Sequence, residues 1–166
     1  MIELRRWSEG DFPLLERNNT PAQTEHIGGS ETSEELERRH QRYLASAEPG
    51  RTRMFAVLSD GQAAGSIGYW ERLWRDETVY ETGWAIFPEF QGRGIARGAA
   101  AALIEILRRE RLHRFLHAFP APENLPSNAI CRGLGFRLIG ECDFEYPPGH
   151  LMRSNDWCFD LQGAGE

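Results

Sequence analysis

The stretch PEFQGRGIARG, residues 88 to 98, lies where the hydrophobic period of the chain changes. Before it, VYETGWAIF, residues 79 to 87, alternates as a strand does; after it, Ala96, Ala100, Leu103 and Leu107 fall three or four apart, as on one helix face. A strand ending at Phe87 and Pro88, a turn bearing Gly92 and Gly94, and a helix from Ile95 bring unpaired backbone N–H groups and the positive helix end into one space. The two glycines let backbone approach a ligand with no Cβ in the way. Such a place suits a phosphate, and Arg93 and Arg97 can add charge-assisted bonds to it. A lone glycine pair at such a junction ordinarily serves only the turn, so the surrounding elements decide.

Those elements are legible from period and breakers. IELRRW alternates as a half-buried strand; SEGDFPLLERNN reads as a cap and short helix. A clearer helix follows, capped by Ser33 or Thr32, favoured by Glu34 and Glu35 and stopped by Pro49-Gly50. RMFAVLS, the turn DGQ and AAGSIGYWERLW read as a hairpin, because Asp-Gly supplies the positive φ that tight turns need. A polar loop, RDET, leads to the strand before the glycine turn. After the long helix come the strand HRFLHAF, a short helix PSNAICRGL ended by Gly133 or Gly135, and the strands FRLIGECDF and RSNDWCFDL. The order is β-α-α-β-β-β-α-β-α-β-β, with no internal repeat and no linker, so a single domain is expected over residues 1 to 166.

Composition removes several classes. A net charge of −6 argues against a nucleic-acid surface, which needs a basic face. All 19 basic residues are arginine, so neither a Schiff-base lysine nor a P-loop lysine is present. The glycine turn is near a dinucleotide fingerprint, yet the repeated β-α-β units of a Rossmann fold do not follow. Cys131, Cys142 and Cys158 are odd in number and lack C-x-x-C spacing, which fits reduced thiols of a cytoplasmic protein. No apolar run of signal-peptide or membrane-span length occurs, so no membrane association is expected. His113 and His117, four apart on an expected strand, lie about 13 Å from one another and cannot share a metal, so no metal is expected.

QGRGIA, Gln91 to Ala96, matches the Q/R-x-x-G-x-G/A signature of the GNAT superfamily of N-acetyltransferases, and the element order resembles that fold along nearly the whole chain. NLPSNAICRGLGF, Asn124 to Phe136, is similar to the family's N-x-x-S/A followed by a short helix and G-F. GWAIFPEFQGRGIA and the preceding Glu81 resemble the branch that includes ribosomal-protein N-terminal acetyltransferases. The resemblance implies an α+β fold: a central, mostly antiparallel sheet of six or seven strands flanked by about four helices. It also implies acetyl-CoA as cosubstrate. Backbone groups of Gln91, Gly92, Arg93, Gly94, Ile95 and Ala96, with Arg97 beside them, are then expected to hold its diphosphate. Main-chain groups of Ile86 and Phe87 are expected to pair with the pantetheine arm, and the Asn124 side chain to bond the same arm.

Acyl transfer to an amine needs the neutral nucleophile, and a free alkyl amine has a pKa near ~10, so a base must take a proton. The resemblance points to Glu81, directly or through water; the competing reading is a strand carboxylate paired with an arginine. A backbone N–H near Phe87 is the expected oxyanion donor. Where many relatives carry a tyrosine to protonate the leaving thiolate, this chain has Cys131, so Cys131, solvent or a tyrosine such as Tyr146 is the candidate acid. Glu25, His26 and one or two of Trp70, Trp74, Trp84 and Trp157 are candidates for the acceptor side, in loops around residues 20 to 30 and 70 to 78. The expected partner is an amine acceptor, a small molecule or a protein N-terminus, and a homodimer is left open. The alternative from another class is a non-catalytic acyl-CoA-binding module.

Overall fold

In a computed structural model, residues 1–45, 51–145 and 148–163 are described. They form seven strands and five α-helices: β1 (Ile2–Arg6), α1 (Phe12–Asn18), α2 (Pro21–Thr24), α3 (Ser33–Ala45), β2 (Arg53–Ser59), β3 (Gln62–Trp74), β4 (Glu77–Ile86), α4 (Ile95–Glu110), β5 (Phe115–Ala118), α5 (Leu125–Gly133), β6 (Arg137–Glu145) and β7 (Leu151–Asp160). The strands make one sheet in the order β1-β2-β3-β4-β5-β7-β6. Every neighbouring pair is antiparallel except β4 and β5. The mixed α+β architecture follows the order of elements read from the sequence. The extra helix is α2, a single turn after Thr20, whose Oγ1 accepts the Gln23 N–H at 3.3 Å.

Two segments differ from the sequence reading for identifiable reasons. RDET is no four-residue loop: Glu77 and Thr78 already pair in β4, and the turn is Arg75 and Asp76 at φ 50° and 66°. The Asp60-Gly61 turn of the previous hairpin has the same left-handed backbone, φ 49° and 81°, but there a glycine advertises it. His113 lies before β5 rather than in it. The expected Pro49-Gly50 helix stop and Tyr146 fall outside the described residues.

The period-2 alternation of β2 explains the two-layered core. Phe55 and Val57 face α4, joining Ile67, Tyr80, Leu103 and Leu107 in one buried cluster; Met54 and Ala56 face the other way, against Trp7, Leu14, Leu15 and Leu36 of the β1–α3 region. So α4 covers one face of the sheet, and α1 and α3 cover part of the other.

Asn128 ties α5 to β7. Its Nδ2 donates to the carbonyls of Ala121 at 2.9 Å and Asn124 at 2.7 Å, while its Oδ1 receives Asn155 Nδ2 and Trp157 Nε1, each at 2.8 Å. Asn128→Ala takes a partner from all four at once, two of them in buried bonds, the Ala121 carbonyl and the Trp157 indole N–H. It is expected to lower stability by about 3 kcal/mol, seen as a fall of roughly 6–12 °C in a thermal melt.

Candidate active site

The turn between β4 and α4 leaves backbone amides without partners inside the helix. Pro88–Phe90 make one 3-10 turn, and Gly92 and Gly94 both sit at φ 75°, in the left-handed region that glycine enters without strain. Where a Cβ of either glycine would stand, the space is open. Gly94 is the N-cap of α4; its carbonyl receives the Gly98 N–H at 3.0 Å, and no side chain caps the helix. The N–H groups of Ile95, Ala96 and Arg97 therefore have no acceptor within the helix, at its positive end. Gln91 through Gly94 are exposed, and the Ile95 side chain is buried, which fixes the first turn against the core.

The side chains of this segment are largely engaged with the protein. Gln91 Nε2 donates to the Ile86 carbonyl at 2.9 Å and to Gln23 Oε1 at 3.1 Å, latching the turn onto the end of β4. Arg97 Nη2 donates to the Gly133 carbonyl at 2.9 Å, joining the start of α4 to the end of α5. Arg93 lies over the Phe90 ring, 5.5 Å from its centroid. Gly92 and Gly94, with the amides after them, are thus the groups turned outward.

Next to this turn the sheet opens. β4 and β5 pair only at Tyr80–Thr82 with Leu116–Ala118, and beyond Thr82 β4 runs on without β5. Phe87 donates its N–H to the Ala64 carbonyl at 2.8 Å, so Phe87 and Ala64 form a bonded pair across β4 and β3. Antiparallel alternation then turns the main-chain groups of Trp84 and Ile86 away from β3, toward the gap. The Gln23 and Gln91 side chains reach the Ile86 carbonyl from that side. This corrects the expectation for Phe87, whose N–H is committed to Ala64 and whose carbonyl receives the Phe90 N–H at 2.9 Å. Trp84, named from the sequence for its side chain alone, also turns its main-chain groups to the gap, because which amides face a gap depends on strand register.

The gap opens into a cavity of about 500 Å³ on the sheet face that α4 does not cover. Asn124 lines its near end as the N-cap of α5, its Oδ1 accepting the Ser127 N–H at 3.3 Å. Trp70 and Trp84 line the cavity, whereas Trp157 is core and Trp74 donates its Nε1–H to Asp156 at 3.0 Å. Ile27 also lines it, while neighbouring Glu25 and His26 do not; His26 lies between Glu25 at 3.3 Å and Glu123 at 3.8 Å.

Glu81 is in the cavity wall and only 6 % exposed. Its Oε1 lies 2.9 Å from Arg72 Nη1, so the arginine partner of the competing reading is real, but the pair sits at a buried cavity rather than on a solvated face. Burial raises the Glu81 carboxyl above its ordinary value, and outweighs the opposing pull of Arg72, the Trp70 side chain and His117. His117, opposite Glu81 across the β4–β5 register, holds Asp156 Oδ1 at 2.6 Å. Burial works against its charged form, yet hydrogen bonds to Asp156 and Cys158 prevail and push it up to about 9. His113 pairs instead with Glu71 at 3.1 Å, so the two histidines have separate carboxylate partners.

Cys131 departs from the acid role expected for it. It is fully buried in the core cluster with α4, it does not line the cavity, and burial pushes its thiol up to about 12. A thiol held there is a poor donor to a thiolate of ordinary pKa, about 8.5. The position is used for packing.

Residues 2–137 match the acetyltransferase (GNAT) domain family. The chain belongs to the GNAT family. A GNAT relative, the uncharacterized N-acetyltransferase YnaD of Bacillus subtilis (strain 168), is 37 % identical over 82 residues; that match spans 49 % of this chain and 45 % of YnaD, about half its length. Among GNAT structures, the ribosomal L7/L12 alpha-N-protein acetyltransferase RimL in complex with coenzyme A aligns with a TM-score of 0.77 at 21 % identity, covering 96 % of this chain and 93 % of that one. The aminoglycoside acetyltransferase AAC(6')-Ib in complex with coenzyme A and kanamycin aligns with a TM-score of 0.79 at 20 % identity, covering 98 % and 96 %. At these identities the structural likeness shows the GNAT fold alone. Among the described residues, no helix is long and apolar enough to cross a membrane.

Proposed function

We propose that the protein transfers the acetyl group of acetyl-CoA to a primary amine by direct attack. The observation that carries this reading is the continuity of three features: the uncapped start of α4, the open edge of β4 at Trp84 and Ile86, and a buried carboxylate at Glu81 in the cavity that the edge opens into. The residues fit the cosubstrate on their own chemistry. The amides of Ile95, Ala96 and Arg97 and the open space at Gly92 and Gly94 suit a diphosphate; the β4 edge suits an amide-bearing arm; the Asn124 amide is a further donor to that arm.

Acetyl-CoA supplies an acetyl group activated as a thioester. Glu81 takes the proton of the acceptor's ammonium, and its raised pKa makes it a stronger base than an exposed glutamate. The freed lone pair forms the N–C bond as the C–S bond breaks. The main-chain N–H of Trp84 or Ile86, facing the gap, stabilises charge on the acetyl oxygen in place of Phe87. With Cys131 packed in the core, solvent takes the second proton from the newly acylated nitrogen and returns a proton to the departing sulfur. The acceptor class spans the amines that the two neighbours are named for, a protein N-terminus and a small molecule, and the site favours the cytoplasm, where acetyl-CoA is supplied.

The test is free-thiol release from acetyl-CoA against a panel of amines. Amine-dependent release with matching N-acetyl product supports the reading. Tight coenzyme binding with no turnover on any amine supports a binding module instead.

A further inference from the structure

Arg72 stands behind Glu81 among aromatic rings. Its guanidinium lies 4.4 Å from the Phe144 centroid, 5.4 Å from that of Trp74 and 5.5 Å from that of Phe119, each within reach of a cation–π contact. These rings hold one another: Phe119 stacks on Phe144 at 4.7 Å and meets Trp74 edge-on at 4.8 Å. Behind them Asp156, buried in β7, accepts the Trp74 Nε1–H at 3.0 Å and holds His117 at 2.6 Å, and the His117 ring stacks on Phe119. Arg72 Nε is buried with no hydrogen-bond partner among the described residues, so rings rather than acceptors enclose that end of the guanidinium. At the other end Nη1 donates to Glu81 Oε1 at 2.9 Å.

Glu81, Phe119 and Phe144 line the acceptor cavity, and Arg72 does not; it reaches the site only through side chains that do. The Arg72 side chain is 28 % exposed and that of Glu81 8 %, so the cation keeps part of its hydration while the carboxylate gives up almost all. A carboxylate so buried needs a cation or donors close by to carry its charge. Ion pairs on a surface fix little, because two long side chains must be ordered to make them. Here the rings already order the longer of the two. We infer that Arg72, held by the cage of Trp74, Phe119 and Phe144, is the positioning residue of Glu81: it fixes the carboxylate in the cavity wall and supplies the charge that lets it serve there as a base. This rests on the acetyl-transfer reading above and adds to it a residue that acts from behind the cavity wall.

The titratable and charged groups facing Glu81 are Arg72 on β3, His117 on β5 with Asp156 of β7 behind it, and, across the cavity on α3, Arg42, Tyr43 and Arg39, the last paired with Glu31. Arg72→Met removes the first and leaves the others in place. Arg72 favours the ionised carboxylate, so without it burial meets less opposition and the base is lost at a higher pH than in the parent. At a pH on the parent's acidic limb, kcat of Arg72→Met is expected to fall roughly tenfold or more, while on the alkaline plateau it stays within about threefold of the parent's. Arg72→Lys keeps the charge and is expected to recover most of the loss at acid pH. Phe144→Leu opens the cage at its nearest ring and is expected to show a smaller loss of the same sign. A carbon NMR titration of the Glu81 carboxyl, assigned by its absence in Glu81→Gln, reads the same displacement without turnover. A limb and a carboxyl titration that stay in place in folded Arg72→Met overturn the inference, as does kcat lost equally at every pH. Should Arg72→Met not fold, Arg72→Gln carries the same prediction and the same refutation. A Phe144→Leu profile that matches the parent's overturns the part played by the cage. A displaced carboxyl titration in a parent protein that turns over no amine leaves the pairing of Arg72 with Glu81 standing and overturns the acetyl-transfer reading instead.

Discussion

Glu81→Gln is expected to lower kcat by about 100- to 1,000-fold with any competent amine, while the dissociation constant for coenzyme A stays within about twofold. The amide keeps the shape of the carboxylate and its contact with Arg72, so the loss reports the missing base rather than a collapsed wall. The pH profile supplies the sharper signature. Burial raises the carboxyl in the folded protein, so the ionised base is lost as pH falls through a value above the ordinary 4.5. In the parent, the acidic limb of kcat against pH therefore lies above that value; in Glu81→Gln the limb is absent. Unchanged kcat, with the limb intact, would reduce Glu81 to a structural partner of Arg72.

Gly94→Val is expected to weaken coenzyme A binding by at least 30-fold, about 2 kcal/mol. Gly94 is held at φ 75° as the N-cap of α4, a conformation that a β-branched residue takes only as an outlier. Valine therefore displaces the turn and fills the open space next to the amides of Ile95, Ala96 and Arg97. Gly94→Ala is the graded control, with the backbone strain and a smaller obstruction. Calorimetric titration with coenzyme A gives both numbers, and a melt separates lost affinity from lost fold. Retained affinity in a folded Gly94→Val protein places the diphosphate elsewhere.

What could be read in advance divides along a physical line. The start of α4 at Ile95 was legible because a change of hydrophobic period and two glycines are local signals. The sheet was legible for the same reason, except at Arg75 and Asp76, which take a left-handed turn without a glycine to mark it. Glu81 is named through the family resemblance, but its burial and its bond to Arg72 come from β3 lying beside β4. Strand register turns the Trp84 amide to the gap and the Phe87 amide to Ala64. Cys131 looked like an acid from its position in a motif, and only the packing of α5 against α4 shows a thiol with no route to the cavity.

The most direct test of the whole account is a crystal structure of the protein grown with coenzyme A. The account predicts the diphosphate within hydrogen-bond distance of the Ile95, Ala96 and Arg97 amides, with the arm entering along Trp84 and Ile86 toward Glu81. A diphosphate bound away from the start of α4, or an arm that bypasses the β4–β5 gap, contradicts it.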